Sequence, residues 1–249
     1  MLNLLWRNVK WRFKNRFTIM ITILQPMLWL VLYSVVADST MKGTGIKNYT
    51  AFILPGVMFL VIFSSCSSGG IMNFLMKNNG SFYRILISPV RRSSIVLAQM
   101  MEAVFVSLLE TFILCVVSLL FSVRFEQGIP GILLIAVLVF LTAFFLAGVA
   151  YTISLCLPNE VIYETIMTAI VLPVFFLSSA LFPADNLTGS LKILVNINPF
   201  THVINVIRSL ILGEPIPAAR ILPVLLLFIG LCLCSFLIAM WKMRRETVS

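Results

Sequence analysis

VLPVFFLSSALFPADNLTGSLKILVNINPFTHVINVIRSLILG, residues 171–213, decides how this chain must fold. It begins as an apolar run of the kind that crosses a bilayer and breaks at Pro183. Residues 184–213 are then too apolar for an ordinary water-exposed loop. They are also too interrupted by Asn, Pro and Gly to make one more plain span, which wants roughly 20 predominantly apolar residues. The pattern predicts a pair of short helices dipping back into the outer half of the bilayer. Broken backbone survives at that depth only where protein or a water-filled cavity covers its freed polar groups, so the segment is expected to line a pathway.

Working outward, the 249 residues are 60% hydrophobic and 11% charged, with a mean hydropathy of +1.07. A soluble domain carries about 25% charged residues. The fold class expected is therefore an all-α integral membrane protein, one domain over residues 1–249. The net charge of +9 would suggest nucleic acid in a soluble protein. In a membrane protein the bases sort by side, and no nucleic-acid partner is expected. Cys66, Cys115, Cys156, Cys232 and Cys234 all fall in apolar runs without a Cys-x-x-Cys pair, and read as packing residues. His202, the lone histidine, reads as a hydrogen-bonded helix residue, and no metal site is expected.

Residues 1–17 place Arg7, Lys10, Arg12, Lys14 and Arg16 among Trp6, Trp11 and Phe13. The mixture suits an amphipathic helix at the membrane interface, or a basic flank that orients the first span. Six spans are expected: 18–37 (with a kink at Pro26), 51–76, 94–123, 131–157, 165–182 and 221–241. The first is longer than the roughly 7–15 residues of a signal-peptide core and reads as an anchor. The second opens with Pro55-Gly56 and carries SSCSSGG at 64–70, where Ser68 and Gly69 belong to a face suited to close helix contact or to lining a path. Between spans two and three, the 77–94 stretch contains a short amphipathic run, 81–87, ended by Ser88-Pro89. Residues 158–164 read as a short internal connection and 124–130 as an external turn. With both termini inside the cell membrane, the inner segments hold five, four and three Lys or Arg, against six outside. The reverse orientation would violate the positive-inside rule.

YTAFILPG at the start of span two, GSFYRILISPVRRS between spans two and three, and FFLSSALFP with INPFTHVINVIRSLILG around spans five and six resemble the membrane subunits of type-2 ABC exporters. The resemblance covers nearly the whole chain, and rests on the order and spacing of the motifs together. It implies a permease that forms the translocation path for an amphipathic drug, lipid, peptide or lipid-linked glycan. It implies two copies of a separate cytoplasmic ATPase subunit, which would hold ATP and Mg, and a second permease chain, identical or similar. Ser81, Phe82, Tyr83, Arg84, Ile85, Leu86 and Pro89 would form the coupling segment, and 1–17 a connector helix beside it. Residues 184–220 would form an external re-entrant cap, with Phe182, Pro183, Leu187, Asn198, Pro199, Phe200 and Arg208 at the gate. Two departures stand out. The acids that commonly precede Gly80, and the acid often found at position 83, are replaced by Met-Lys-Asn-Asn and Tyr83. That leaves Arg84 with Phe82, Ile85 and Leu86 as expected ATPase contacts. Ser179 stands where a Gly is common, and is expected to tighten the local turn modestly.

No Gly-x-x-x-x-Gly-Lys-Ser/Thr stretch cradles a nucleotide, and no Gly-x-Ser-x-Gly or His-Glu-x-x-His constellation supports catalysis by this chain. Two charged residues at membrane depth carry open alternatives. Glu110, deep in span three, is either a substrate-cation or gating contact, or a structural hydrogen-bond partner. Arg208 either holds an anionic substrate group or tethers its short helix, and tethering is favoured. Two rival functions also fit an apolar bundle: a secondary transporter, which predicts inverted repeats and paired ionisable groups, and a non-transporting scaffold or sensor subunit.

Overall fold

The computed structural model describes residues 5–7, 9–10, 24–25, 27–32, 34–35, 49–87, 90–181, 189–214 and 217–245, with the backbone alone at residues 86 and 218. All regular structure among them is helical. The expected connector helix and first span fall largely outside them. Helical residues at 5–7, 9–10, 24–25, 27–32 and 34–35 belong to those regions. Leu30 there is fully buried, and the Ser34 and Thr50 hydroxyls lie 2.5 Å apart.

Helix α1, Tyr49–Asn78, is the axis of the bundle and packs against α3, α4, α5 and α7. It ends where Gly80 turns left-handed (φ 68), a conformation only glycine takes without strain. The Gly80 N–H donates to the Lys77 carbonyl at 3.1 Å. The short helix α2, Ser81–Ile87, follows at once. Helices α3, Arg92–Leu120, and α4, Gly128–Cys156, are joined by a turn at 121–127. Helix α5, Glu160–Phe176, is followed by α6, Ser190–Ile197, α7, Pro199–Leu212, and α8, Ala218–Arg245.

Side-chain pairs fix the directions. The Cys66 thiol donates to the Ala143 carbonyl at 3.3 Å and Asn73 Nδ2 to Ser154 Oγ at 3.0 Å, so α1 and α4 run parallel. Tyr151 and Gly148 of α4 meet Met243 and Ser235 of α8, which runs the same way. Gln99 of α3 reaches the Gly69 carbonyl, whereas Glu110 lies opposite Ser65, so α3 is antiparallel to α1. One end of the bundle therefore carries Tyr49, residues 121–127 and Gly213. The other carries Asn78, Arg92, Leu157 and the basic end of α8.

Among the described residues four helices, α1, α3, α4 and α8, are long and apolar enough to cross a membrane. Helix α5 has 17 residues, at the lower limit of the roughly 17–25 that span. It begins at residue 160 rather than 165, inside the stretch expected as a connection. The reason is local: the Asn159 side chain accepts from the Ile162 N–H at 2.9 Å, and Glu160 places its carboxylate at the positive helix end. It stops at Phe176 rather than 182 because its last carbonyls find other donors, described below. The turn expected at 124–130 lies at 121–127, and α4 starts before Pro130, which the first helical turn tolerates.

Candidate functional site

Two short helices, α6 and α7, stand where the broken apolar segment predicts them, with Asn198 as the hinge. Its Oδ1 accepts from the Phe200 N–H at 3.1 Å, capping α7, and Pro199 takes the first helical position. Its Nδ2 donates to the carbonyls of Val174 and Leu177 at 2.8 and 2.9 Å. One amide thus starts α7 and satisfies orphan carbonyls at the end of α5. His202 bonds the Asn196 carbonyl at 3.0 Å, joining α7 to α6.

Helix α7 climbs through the bundle. Phe200, 6% exposed, packs between Phe59, Phe145 and Phe228, with ring centroids 4.7, 6.1 and 5.9 Å away. Two turns later Arg208 Nε donates to the Phe52 carbonyl at 3.0 Å. Residues 52 and 59 lie about 10 Å apart along α1, so α7 rises from mid-bundle toward the end where α1 begins. It stops at Gly213, left-handed at φ 74, and Gln127 Nε2 binds the Glu214 carbonyl at 2.8 Å.

Arg208 is buried, at 7% exposure, and its other donors are also engaged. Nη1 donates to Asn205 Oδ1 at 3.0 Å, and Nη2 to the carbonyls of Ser179 at 2.5 Å and Ala180 at 3.3 Å. Its guanidinium stacks on the Phe52 ring at 3.8 Å. The side chain joins α7, α1 and the turn after α5. Ser179, the departure from the usual glycine, is fully buried and donates to Asn205 Oδ1 at 2.6 Å. Gly56 lets that turn approach, since a Cβ there would lie 2.8 Å from the Ala180 Cβ and 3.0 Å from its carbonyl oxygen. Pro55 is buried within α1. Phe182, Pro183 and Leu187 lie outside the described residues.

Deeper in the bundle the seam between α1 and α3 is polar. Glu110 accepts a hydrogen bond from Ser65, and Glu102, fully buried, accepts from Gln99 Nε2 at 3.3 Å. Ser68 donates to its own helix at Ser65, and Gly69 faces Ala103, whose Cβ would be 3.2 Å from an added methyl. Asn73 is fully buried, and its Oδ1 has no hydrogen-bond partner among the described residues. Tyr163 was not legible as a site residue. It lies in the first turn of α5, donates to the Ser67 carbonyl at 2.9 Å, and places its hydroxyl where a Cβ on Gly70 would sit. The only sequence signal is Gly70, which makes room for it.

At the opposite end, α2 turns Phe82 and Ile85 inward, 4% and 7% exposed, while Tyr83, Arg84 and Ile87 face outward. Lys77 lies 5.5 Å over the Phe82 ring. Ser81 opens the helix and Pro89 is outside the described residues.

Among the described residues, four apolar helices of spanning length, a pair of short helices toward one end and a seven-residue helix at the other fit a multi-pass membrane protein. The chain belongs to the ABC-2 type transporter family, whose family model matches residues 1–212. It is similar to the transport permease ycf38 of Cyanophora paradoxa, 28% identical over 199 residues, which make up 78% of this chain and 67% of that protein. The same protein from Porphyra purpurea is 25% identical over 194 residues, covering 77% of this chain and 66% of the relative. Nodulation protein J of Rhizobium leguminosarum bv. trifolii is 22% identical over 215 residues, covering 85% and 81%. The matched part spans about two thirds of the length of the ycf38 relatives.

Proposed function

We propose that this chain is the membrane subunit of an ATP-driven exporter with six spans and both termini in the cytoplasm. Two permease chains would enclose the path between them in the cell membrane. Two separate ATPase subunits would bind ATP and Mg and drive the switch between inward- and outward-facing states. The observation that carries this reading is α2. It is a seven-residue helix tied to α1 by a two-residue turn, with Phe82 and Ile85 anchoring it and Tyr83, Arg84 and Ile87 displayed. A lever so placed passes a push from a docked subunit directly into α1, the most buried of the spanning helices. Of the residues expected to touch the ATPase, Phe82 and Ile85 then act as the seat and Arg84 as the contact. Tyr83 and Ile87 join Arg84 at the interface.

The α6–α7 pair acts as the external cap, held by Asn198, Phe200 and Arg208. Helix α6 buries only Val195 and exposes Leu191, Ile193, Leu194 and Ile197, which suits an amphipathic drug, lipid, peptide or lipid-linked glycan leaving through an apolar exit. The test is co-purification with the native ATPase and ATP-dependent transport in proteoliposomes. Alanines at Tyr83, Arg84 and Ile87 should weaken ATPase association about tenfold or more while leaving the fold intact. Unchanged association, or transport that runs on an ion gradient without ATP, would overturn the reading.

A further inference from the structure

The basic end of α8 and the start of α3, two helices that pack together, lie at the same end of the bundle and form a corner that the coupling reading does not use. Helices α3, α4 and α8 converge where a Cβ on Gly148 would lie 2.6 Å from Ser235 Oγ and 2.9 Å from Met100 Cε. From that level Arg92 is about 12 Å along α3, and Trp241 to Arg245 are about 9–15 Å along α8, toward the same end. Arg91, Arg92, Arg244 and Arg245 are all exposed there, and Lys242 is partly so. The acids described at that end, Glu160 and Glu164, sit on α5, which packs on α1 and α4. The Arg245 guanidinium stacks on the Trp241 ring at 4.0 Å, which holds a cation beside an aromatic group, a pairing suited to the headgroup zone.

Leu233, Leu237 and Trp241 are each about half exposed and recur every fourth residue, with Ile238 beside them. On a helix this spacing makes one continuous stripe, and Arg244 and Arg245 complete its next turn. An acidic protein surface would match the bases but leave the apolar stripe uncovered. A two-tailed lipid with an anionic headgroup matches both. We propose that this corner is a binding site for an anionic phospholipid, its phosphate held by Arg91, Arg92, Arg244 and Arg245 and its tails lying along Leu233, Leu237 and Ile238.

The experiment titrates the purified full chain in detergent with dioleoyl-phosphatidylglycerol or dioleoyl-phosphatidylcholine and counts bound lipids by native mass spectrometry. The chain should prefer phosphatidylglycerol by about tenfold or more, and raising the salt before analysis should shrink the preference. Arg91→Gln, Arg92→Gln, Arg244→Gln and Arg245→Gln combined should abolish it, and the four corresponding lysine substitutions should restore most of it. Arg124→Gln with Arg220→Gln, exposed charges of the opposite end, should leave it unchanged. Equal binding of the two lipids by the native chain overturns the proposal and leaves the bases to an acidic protein surface. An equal loss in the opposite-end variant also overturns it, because net charge alone would then explain the preference.

Discussion

Helices α1 and α8 are nearly equal in length and both apolar enough to span, yet 83% of the apolar stretch of α1 is buried inside the protein against 22% of that of α8. Over those stretches the more apolar of the two is the one left outside. In water that would be a paradox. In lipid it is expected, because acyl chains are as apolar as leucine and hydrophobicity no longer sorts helices into the interior. Close contact and hydrogen bonding do the sorting instead. Helix α1 brings Ser65, Cys66, Gly69, Gly70 and Asn73 to its neighbours, and each meets a partner helix. Helix α8 contributes Phe228, Cys232, Ser235 and Ala239 on one narrow side and turns leucines outward on the other.

The largest test of this contrast is Arg208→Met, which strips the donors that pin the start of α1 to α7 and to the turn after α5. The carbonyls of Phe52, Ser179 and Ala180 would lose a charged donor in a buried place. The loss should be about 3 kcal/mol, read as a large fall in thermal midpoint in detergent. Arg208→Lys should recover only part of it, because one ammonium cannot reproduce the fork that reaches Phe52, Asn205 and Ser179 together. A neutral Arg208→Met would mean that α1 is held by packing alone.

Next in size is Gly70→Ala. The added methyl lands on the Tyr163 hydroxyl and ring, so either α1 shifts or Tyr163 gives up its bond to Ser67. An overpacking cost of about 2 kcal/mol is expected. In a Tyr163→Phe background the same substitution should cost less, since the nearest clashing atom is gone. Strict additivity of the two changes would mean that Gly70 and Tyr163 do not meet in the folded protein.

Asn198→Ala follows. It removes the cap of α7 and the donor to two carbonyls of α5 together, at about 1–2 kcal/mol. If Asn198→Asp, which keeps the cap but loses the amide donor, is as stable as the native chain, only the α7 role matters.

These sites also mark what could be read in advance. The α6–α7 pair was legible because its polar interruptions fall inside an apolar run, and α2 because Gly80 and Pro89 bracket a short amphipathic stretch. The SSCSSGG stretch announced a contact face for the same reason that α1 is buried. Partners were not legible. Asn198 reaches back more than twenty residues to Val174 and Leu177, and Glu110 finds Ser65 forty-five residues away. The end of α5 is hidden for that reason: its apolar run continues to Phe182, but Asn198, from elsewhere in the chain, takes the Val174 and Leu177 carbonyls beside the local turn that closes it. The inward turn of Phe82 and Ile85 was equally hidden, since a seven-residue amphipathic helix shows which residues share a face and not which way that face looks.

The smallest expected effect lies on α8. Among the described residues nothing comes within 4 Å of a Cβ added to Gly230, whereas one added to Gly69 on α1 meets the Ala103 Cβ at 3.2 Å. Gly230→Ala should therefore gain helix propensity at no packing cost, up to about 0.8–1 kcal/mol in a helix interior, and raise the thermal midpoint slightly. Gly69→Ala gains the same propensity but must push Ala103 aside, and should be neutral or mildly destabilising. The pair gives the α1–α8 contrast its sharpest form, because propensity is shared and only the surroundings differ. If Gly230→Ala proves as damaging as Gly69→Ala, the open face of α8 is covered by another helix in the assembled protein. The difference in burial would then belong to the isolated chain and not to its membrane-embedded state.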